Sequence, residues 1–193
     1  YSTLNKAFLP TKGFRHRTRF DVSIPGSDLE YYTASYLGEI YVPVAAPNDI
    51  SLKLKTRLGY GDGYGDSSGL PFLKNFFGGG IRTVRGYKYN SLGPVDPTSN
   101  EQTGGNVLVT GTAAVQFPMP GIKETDQARL SLFTDTGQVF NDSVKVSDLR
   151  YSAGIALGWM TPIGPLSFTY ASALNKKSGD VTEGFQFSIG SVF

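Results

Sequence analysis

Gly65-Asp66-Ser67-Ser68-Gly69 sets a serine between two glycines at the spacing of a nucleophile elbow, the turn that presents a hydroxyl for attack on a carbonyl carbon. That chemistry needs a histidine base, and the chain has one histidine, His16, on a distant segment. The elbow also needs a strand running into a helix, and no helical period follows Gly69. A flexible Gly-Ser loop is the better reading. One histidine and no cysteine leave no credible zinc site, and the scattered loop aspartates lack the spacing of a calcium loop. Gly78-Gly79-Gly80 lacks the Lys-Ser/Thr that completes a phosphate loop. No catalytic residue, metal or cofactor is assigned, and the chain reads as a non-enzyme.

The charged residues are patterned instead. Arg15, Arg17 and Arg19, and then Lys53, Lys55 and Arg57, alternate with apolar or small residues, with Glu39 on a segment between them. Such a basic face can meet acidic loop residues such as Asp62, Asp66, Asp96 or Glu101, or line a solvated channel wall; the wall is the plainer account. A net charge of +2 gives no overall field for nucleic acid, and no nucleic-acid partner is expected.

Those positions need strands to hold them. Period-two alternation marks eight candidate strands, approximately 13–24, 30–43, 51–61, 106–117, 128–137, 150–160, 165–172 and 184–193, with a short remnant near 1–8. In each, one face is apolar and the other polar or small: Leu52, Leu54, Leu58 and Tyr60 oppose Lys53, Lys55 and Arg57, and Ile155, Leu157 and Trp159 oppose Ser152, Gly154 and Gly158. A soluble barrel or sandwich buries the apolar face, whereas a membrane barrel turns it to lipid, and alternation alone does not separate them. Connections do help. Segments 9–13, 44–50, 118–127 and 160–165 are short and alternate with 25–29, 62–105, 138–149 and 173–183, the asymmetry of periplasmic turns and external loops in outer-membrane barrels. Aromatics near the strand ends, Phe14, Tyr32, Tyr60, Phe117, Trp159 and Phe193, suit two bilayer interfaces but also ordinary β-propensity. With no run of eighteen apolar residues, only a barrel could take this chain across a bilayer.

Segment 62–105 is too long for an ordinary hairpin connection. Its apolar anchors, among them Leu70, Phe72, Phe76, Phe77, Ile81, Val84 and Tyr87, argue against disorder and require it to pack on something. Gly78, Gly79, Gly80 and Gly86 permit sharp turning at its tip.

The stretch from Gly69-Leu70-Pro71-Phe72 to Val84-Arg85-Gly86-Tyr87 resembles the invaginating sixth extracellular loop of the BamA family, the barrel subunits of the bacterial outer-membrane assembly machinery. Ile24-Pro25-Gly26-Ser27-Asp28 upstream and the ending Gly184-Phe185-Gln186-Phe187-Ser188-Ile189-Gly190-Ser191-Val192-Phe193 agree with it. The resemblance covers residues 1–193 as a single C-terminal barrel fragment with the extracellular loop 62–105. It implies an all-β, antiparallel transmembrane barrel, this chain supplying the last eight of sixteen strands. In that family the loop folds into the lumen. The arginine at the position of Arg85 then pairs with acidic inner-wall groups, for which Asp135, in Phe133-Thr134-Asp135-Thr136-Gly137, is the candidate. A Glu expected on the preceding strand is replaced by Gln116, which leaves a neutral acceptor.

The implied function is folding and insertion of β-barrel proteins into the bacterial outer membrane, with the C-terminus on the periplasmic side. The implied partners are nascent outer-membrane proteins, other assembly subunits through parts absent here, and outer-membrane lipid and lipopolysaccharide. A two-partner secretion pore of the same superfamily is the alternative. Phe185, Phe187, Ile189 and Phe193 form the closing-strand signal, and Gly190 marks a position where that strand can kink and loosen a seam. The chain opens on Tyr1 with no charged-then-apolar leader and is read as an excised piece. Unmade backbone hydrogen bonds in hydrocarbon favour an eight-stranded closed barrel or a self-associated pair over an open sheet. In a closed barrel of eight strands the loop would have no room inside.

Overall fold

Alternation of apolar and polar residues produces a sheet whose two faces are inverted relative to a soluble protein. The computed structural model describes residues 1–45, 49–121 and 127–190. Its strands are β1 (Gly13–Val22), β2 (Tyr31–Ala45), β3 (Ile50–Gly63), β4 (Gly86–Tyr87), β5 (Val107–Pro118), β6 (Ala128–Phe140), β7 (Arg150–Thr161), β8 (Gly164–Ala173), β9 (Thr182–Glu183) and β10 (Phe185–Ile189). Eight of them form one antiparallel meander in the order β1-β2-β3-β5-β6-β7-β8-β10, and β4 pairs with β9 separately. Each long strand pairs with the next long strand in the chain, so every connection is local.

One face carries Leu54, Leu132, Ile155, Phe185 and Phe187, all exposed. The other carries Ser51, Lys53, Asp135, Ser152, Ser167 and Thr169, all buried. Polar groups inside and large apolar groups outside is the arrangement of a barrel wall in lipid, and it removes the soluble sandwich. Leu52 and Leu157 lie on the same outer face and are half-buried by neighbours.

The sheet is open. Among the described residues β10 forms a ladder with β8 but none with β1, which corrects the expectation that the eight strands close on themselves. An open eight-stranded sheet is what half of a larger barrel presents, and its curvature leaves room for the long loop to pack on the inner face, where an eight-stranded barrel would be filled by side chains. At the other edge the expected remnant is a partial strand: Ser2 bridges Arg15, Thr3 N–H donates to the Phe14 carbonyl at 2.8 Å, and His16 N–H donates to that of Tyr1 at 2.9 Å. It covers only the first half of the β1 edge. β10 is followed by Gly190, whose φ of +82° leaves the extended region, and whose N–H donates to the Pro165 carbonyl at 2.8 Å.

Candidate functional site: the loop docked on the inner wall

Phe76 and Gly105 exchange backbone hydrogen bonds of 2.8 and 3.0 Å, and Gly78 bridges Leu92, so segment 64–106 descends along the wall as a folded hairpin. Phe76 rests where β3 has Gly59; a Cβ there would lie 2.7 Å from its ring. Val84, Tyr87 and Leu92 form a small buried cluster against Ala173. These contacts present the tip, residues 84–87, to the polar face.

At the tip, Arg85 Nε donates to Asp135 Oδ2 at 2.7 Å, Nη2 donates to Oδ1 at 2.7 Å, and the Arg85 backbone N–H donates to Oδ2 at 3.0 Å. The guanidinium carbon stacks 3.3 Å from the ring centroid of Phe133. Thr112 Oγ1 donates to Asp135 Oδ1 at 2.8 Å, so the carboxylate accepts four hydrogen bonds. Both charged side chains are nearly excluded from solvent, at 4% and 0% exposure. A planar fork matched to a carboxylate satisfies both charges together, and that match makes their burial tolerable.

Gln116 lies on the same strand as Thr112 and lines, with Arg85, Lys53 and Ser131, a cavity of about 10 Å³, room for roughly one water. Its Oε1 accepts a hydrogen bond from Ser51 Oγ at 3.4 Å. The wall hydroxyl on Asp135 comes from Thr112, which sequence reasoning missed although it sits directly opposite Asp135 in the ladder. Phe133 was missed too. Its signal was legible: an aromatic on the polar face of a strand is out of pattern.

Val84 and Tyr87 are fully buried and Gly86 passes the wall beside Ala171. Phe185, Phe187 and Ile189 point outward from β10 and Gly190 terminates it, whereas Phe193 lies outside the described residues. The basic wall is met mainly from within. Arg15 Nε donates to Glu39 Oε2 at 2.8 Å, and Lys55 stands opposite Glu39 in the β2–β3 ladder. Asp96 accepts from Thr98 N–H at 2.7 Å and from Ser99 N–H at 3.4 Å, and those amides hold its carboxyl below the ordinary range.

The serine motif has a structural use. Ser67 Oγ accepts the Glu30 N–H at 2.9 Å, while the Glu30 carboxylate accepts Gly26 N–H at 2.6 Å and Asp66 N–H at 3.1 Å, stitching two external loops together. His16 is engaged elsewhere, its Nδ1 2.6 Å from the Tyr36 hydroxyl on the outer face.

The comparisons with known proteins fit this geometry. A family model described as the Omp85 superfamily domain matches residues 1–193. Outer membrane protein assembly factor BamA of Neisseria meningitidis serogroup B is 35% identical over 218 residues, covering 98% of this chain and 27% of the relative. BamA of Neorickettsia risticii is 30% identical over 196 residues, covering 98% of this chain and 26% of the relative. The crystal structure of BamA from Haemophilus ducreyi lacking POTRA domains 1–3 superimposes with a TM-score of 0.87 at 31% identity, over 97% of this chain and 40% of that one. The chain therefore spans about a quarter of the length of these curated relatives.

Proposed function

The chain belongs to the Omp85 superfamily, and from that membership we propose that it forms the C-terminal half of an outer-membrane barrel that folds and inserts other β-barrel proteins. The observation that carries this reading is the Arg85–Asp135 dock, which holds the long loop on the polar inner face of a wall whose apolar face is turned outward. β10 is an end strand of the sheet, with Phe185 and Phe187 facing outward where lipid would lie, and in this reading its outer edge is one lip of the barrel seam. An unpaired edge opening onto hydrocarbon is a template for an incoming strand, which gains main-chain hydrogen bonds it cannot obtain from lipid. No covalent chemistry is needed.

In this reading the short turns and the C-terminal end of β10 lie on the periplasmic side, because they share one end of the sheet opposite the loop 64–106. Gly190 is the point at which the closing strand leaves the seam, and the Arg85–Asp135 dock keeps the loop inside. Clients are nascent outer-membrane proteins; lipid and lipopolysaccharide bathe the outer face; other assembly subunits bind through parts beyond this chain. The similarity to assembly factors at 30–35% identity favours this reading over a secretion pore.

The test is reconstitution of the full-length protein in lipid vesicles with an unfolded small barrel as client. Faster client folding than in empty vesicles is expected. No acceleration, together with translocation of a soluble passenger, would favour the secretion alternative.

A further inference from the structure

Gln186 ties the long loop to the edge strand. Its Nε2 donates to the Tyr87 carbonyl at 2.8 Å in a buried contact, and the same carbonyl accepts the Gly80 N–H at 2.9 Å. Gln186 Oε1 has no hydrogen-bond partner among the described residues, so the donor half of the amide carries the contact to the loop. Backbone ties reinforce it: Gly86 and Tyr87 pair with Glu183 and Thr182, and Lys88 N–H donates to the Val181 carbonyl at 2.9 Å.

The other end of the same tip is fixed to β6 through Arg85 and Asp135. In the sheet β6 and β10 are separated by β7 and β8, so residues 85–87 brace about three strand spacings, roughly 14 Å, across the inner wall. β10 needs such a brace. It makes five residue pairs with β8 and no other ladder among the described residues. A strand with so few ladder pairs frays readily.

We propose that Gln186 is a positioning residue: through the Tyr87 carbonyl, the docked loop holds β10 from the lumen side and sets the geometry in which its free edge meets an incoming strand. Undocking of the loop and loosening of the edge are then one event. The assembly role of the edge rests on the function proposed above; the brace itself does not.

The experiment compares the full-length protein with its Gln186→Glu and Gln186→Met variants in lipid nanodiscs. Gln186→Glu keeps the shape but, ionised, has no side-chain donor; Gln186→Met keeps the length without polarity. Amide hydrogen exchange at 185–189 is expected to rise at least tenfold in both, with the β6–β7 ladder and the thermal midpoint unchanged. Client folding in vesicles is expected to slow severalfold in parallel. Unchanged exchange at 185–189 in both variants would overturn the brace. Faster exchange with client folding at the parental rate would leave the brace standing and overturn the positioning role of Gln186 for the incoming strand, because the edge geometry would then not matter. A parent protein that fails to accelerate client folding would sink the assembly reading alone, and the exchange comparison would still decide the brace.

Discussion

Gly86 crosses the inner wall so close to Ala171 that a Cβ on it would stand 3.2 Å from the alanine methyl and 3.4 Å from its carbonyl oxygen. Gly86 also has a φ of +85°, in the left-handed region. Both facts select glycine between Arg85 and Tyr87, because the tip must turn there while touching the backbone of β8. Gly86→Ala is expected to cost about 1–2 kcal/mol for the backbone alone, with more from the contact. Limited proteolysis within 64–106 should become faster and the thermal midpoint should fall. A variant as protease-resistant as the parent would show that the tip does not need this approach.

Arg85 and Asp135 should be strongly non-additive. Removing either partner leaves a buried charge uncompensated, a loss of roughly 3–5 kcal/mol, whereas removing both deletes the problem along with the pair. A double-mutant cycle of Arg85→Ala and Asp135→Ala, read by unfolding in detergent, measures this. Additive effects would remove the proposed coupling. Arg85→Lys is expected to behave more like Arg85→Ala than like the parent, since an ammonium can neither fork onto both carboxylate oxygens nor stack flat on Phe133.

Ile155 faces outward near the middle of β7, so Ile155→Arg should destabilise the protein in lipid by roughly 2–4 kcal/mol. The same change in a purely water-facing strand would cost little. Unchanged folding free energy in vesicles would reverse the assignment of the two faces.

The staple at Glu30 predicts a pH dependence outside the membrane. Backbone amides of Gly26 and Asp66 hold its carboxyl below the ordinary glutamate range. The folded-state value is depressed, so its contribution is present above the ordinary value, about 4.3, and is lost as pH falls through the lower folded value. Protease protection of residues 64–69 should weaken over that acidic window. Glu30→Gln should show weaker protection at neutral pH and a flatter acid response; an identical pH profile in the variant would dismiss the staple.

The sequence by itself determined the strands and their faces. Alternation is a local property, so the wall of Leu54, Ile155 and Phe187 against Lys53, Ser152 and Gln186 was readable residue by residue, and the connection lengths marked the two ends of the sheet. The resemblance around Val84–Tyr87 pointed to Asp135 as the place where the loop docks. What only the tertiary structure decided is how the inner face is shared. Thr112 reaches Asp135, Phe133 carries the guanidinium and Gln186 holds Tyr87 because the sheet's curvature sets distant strands around one loop tip. Nothing in the spacing of residues 112, 133 and 186 records that meeting. Whether the sheet closes was likewise not a local matter. Hydrogen-bond satisfaction within the chain alone favoured closure, but the eight strands stand open around the folded loop, with the curvature of half of a larger barrel.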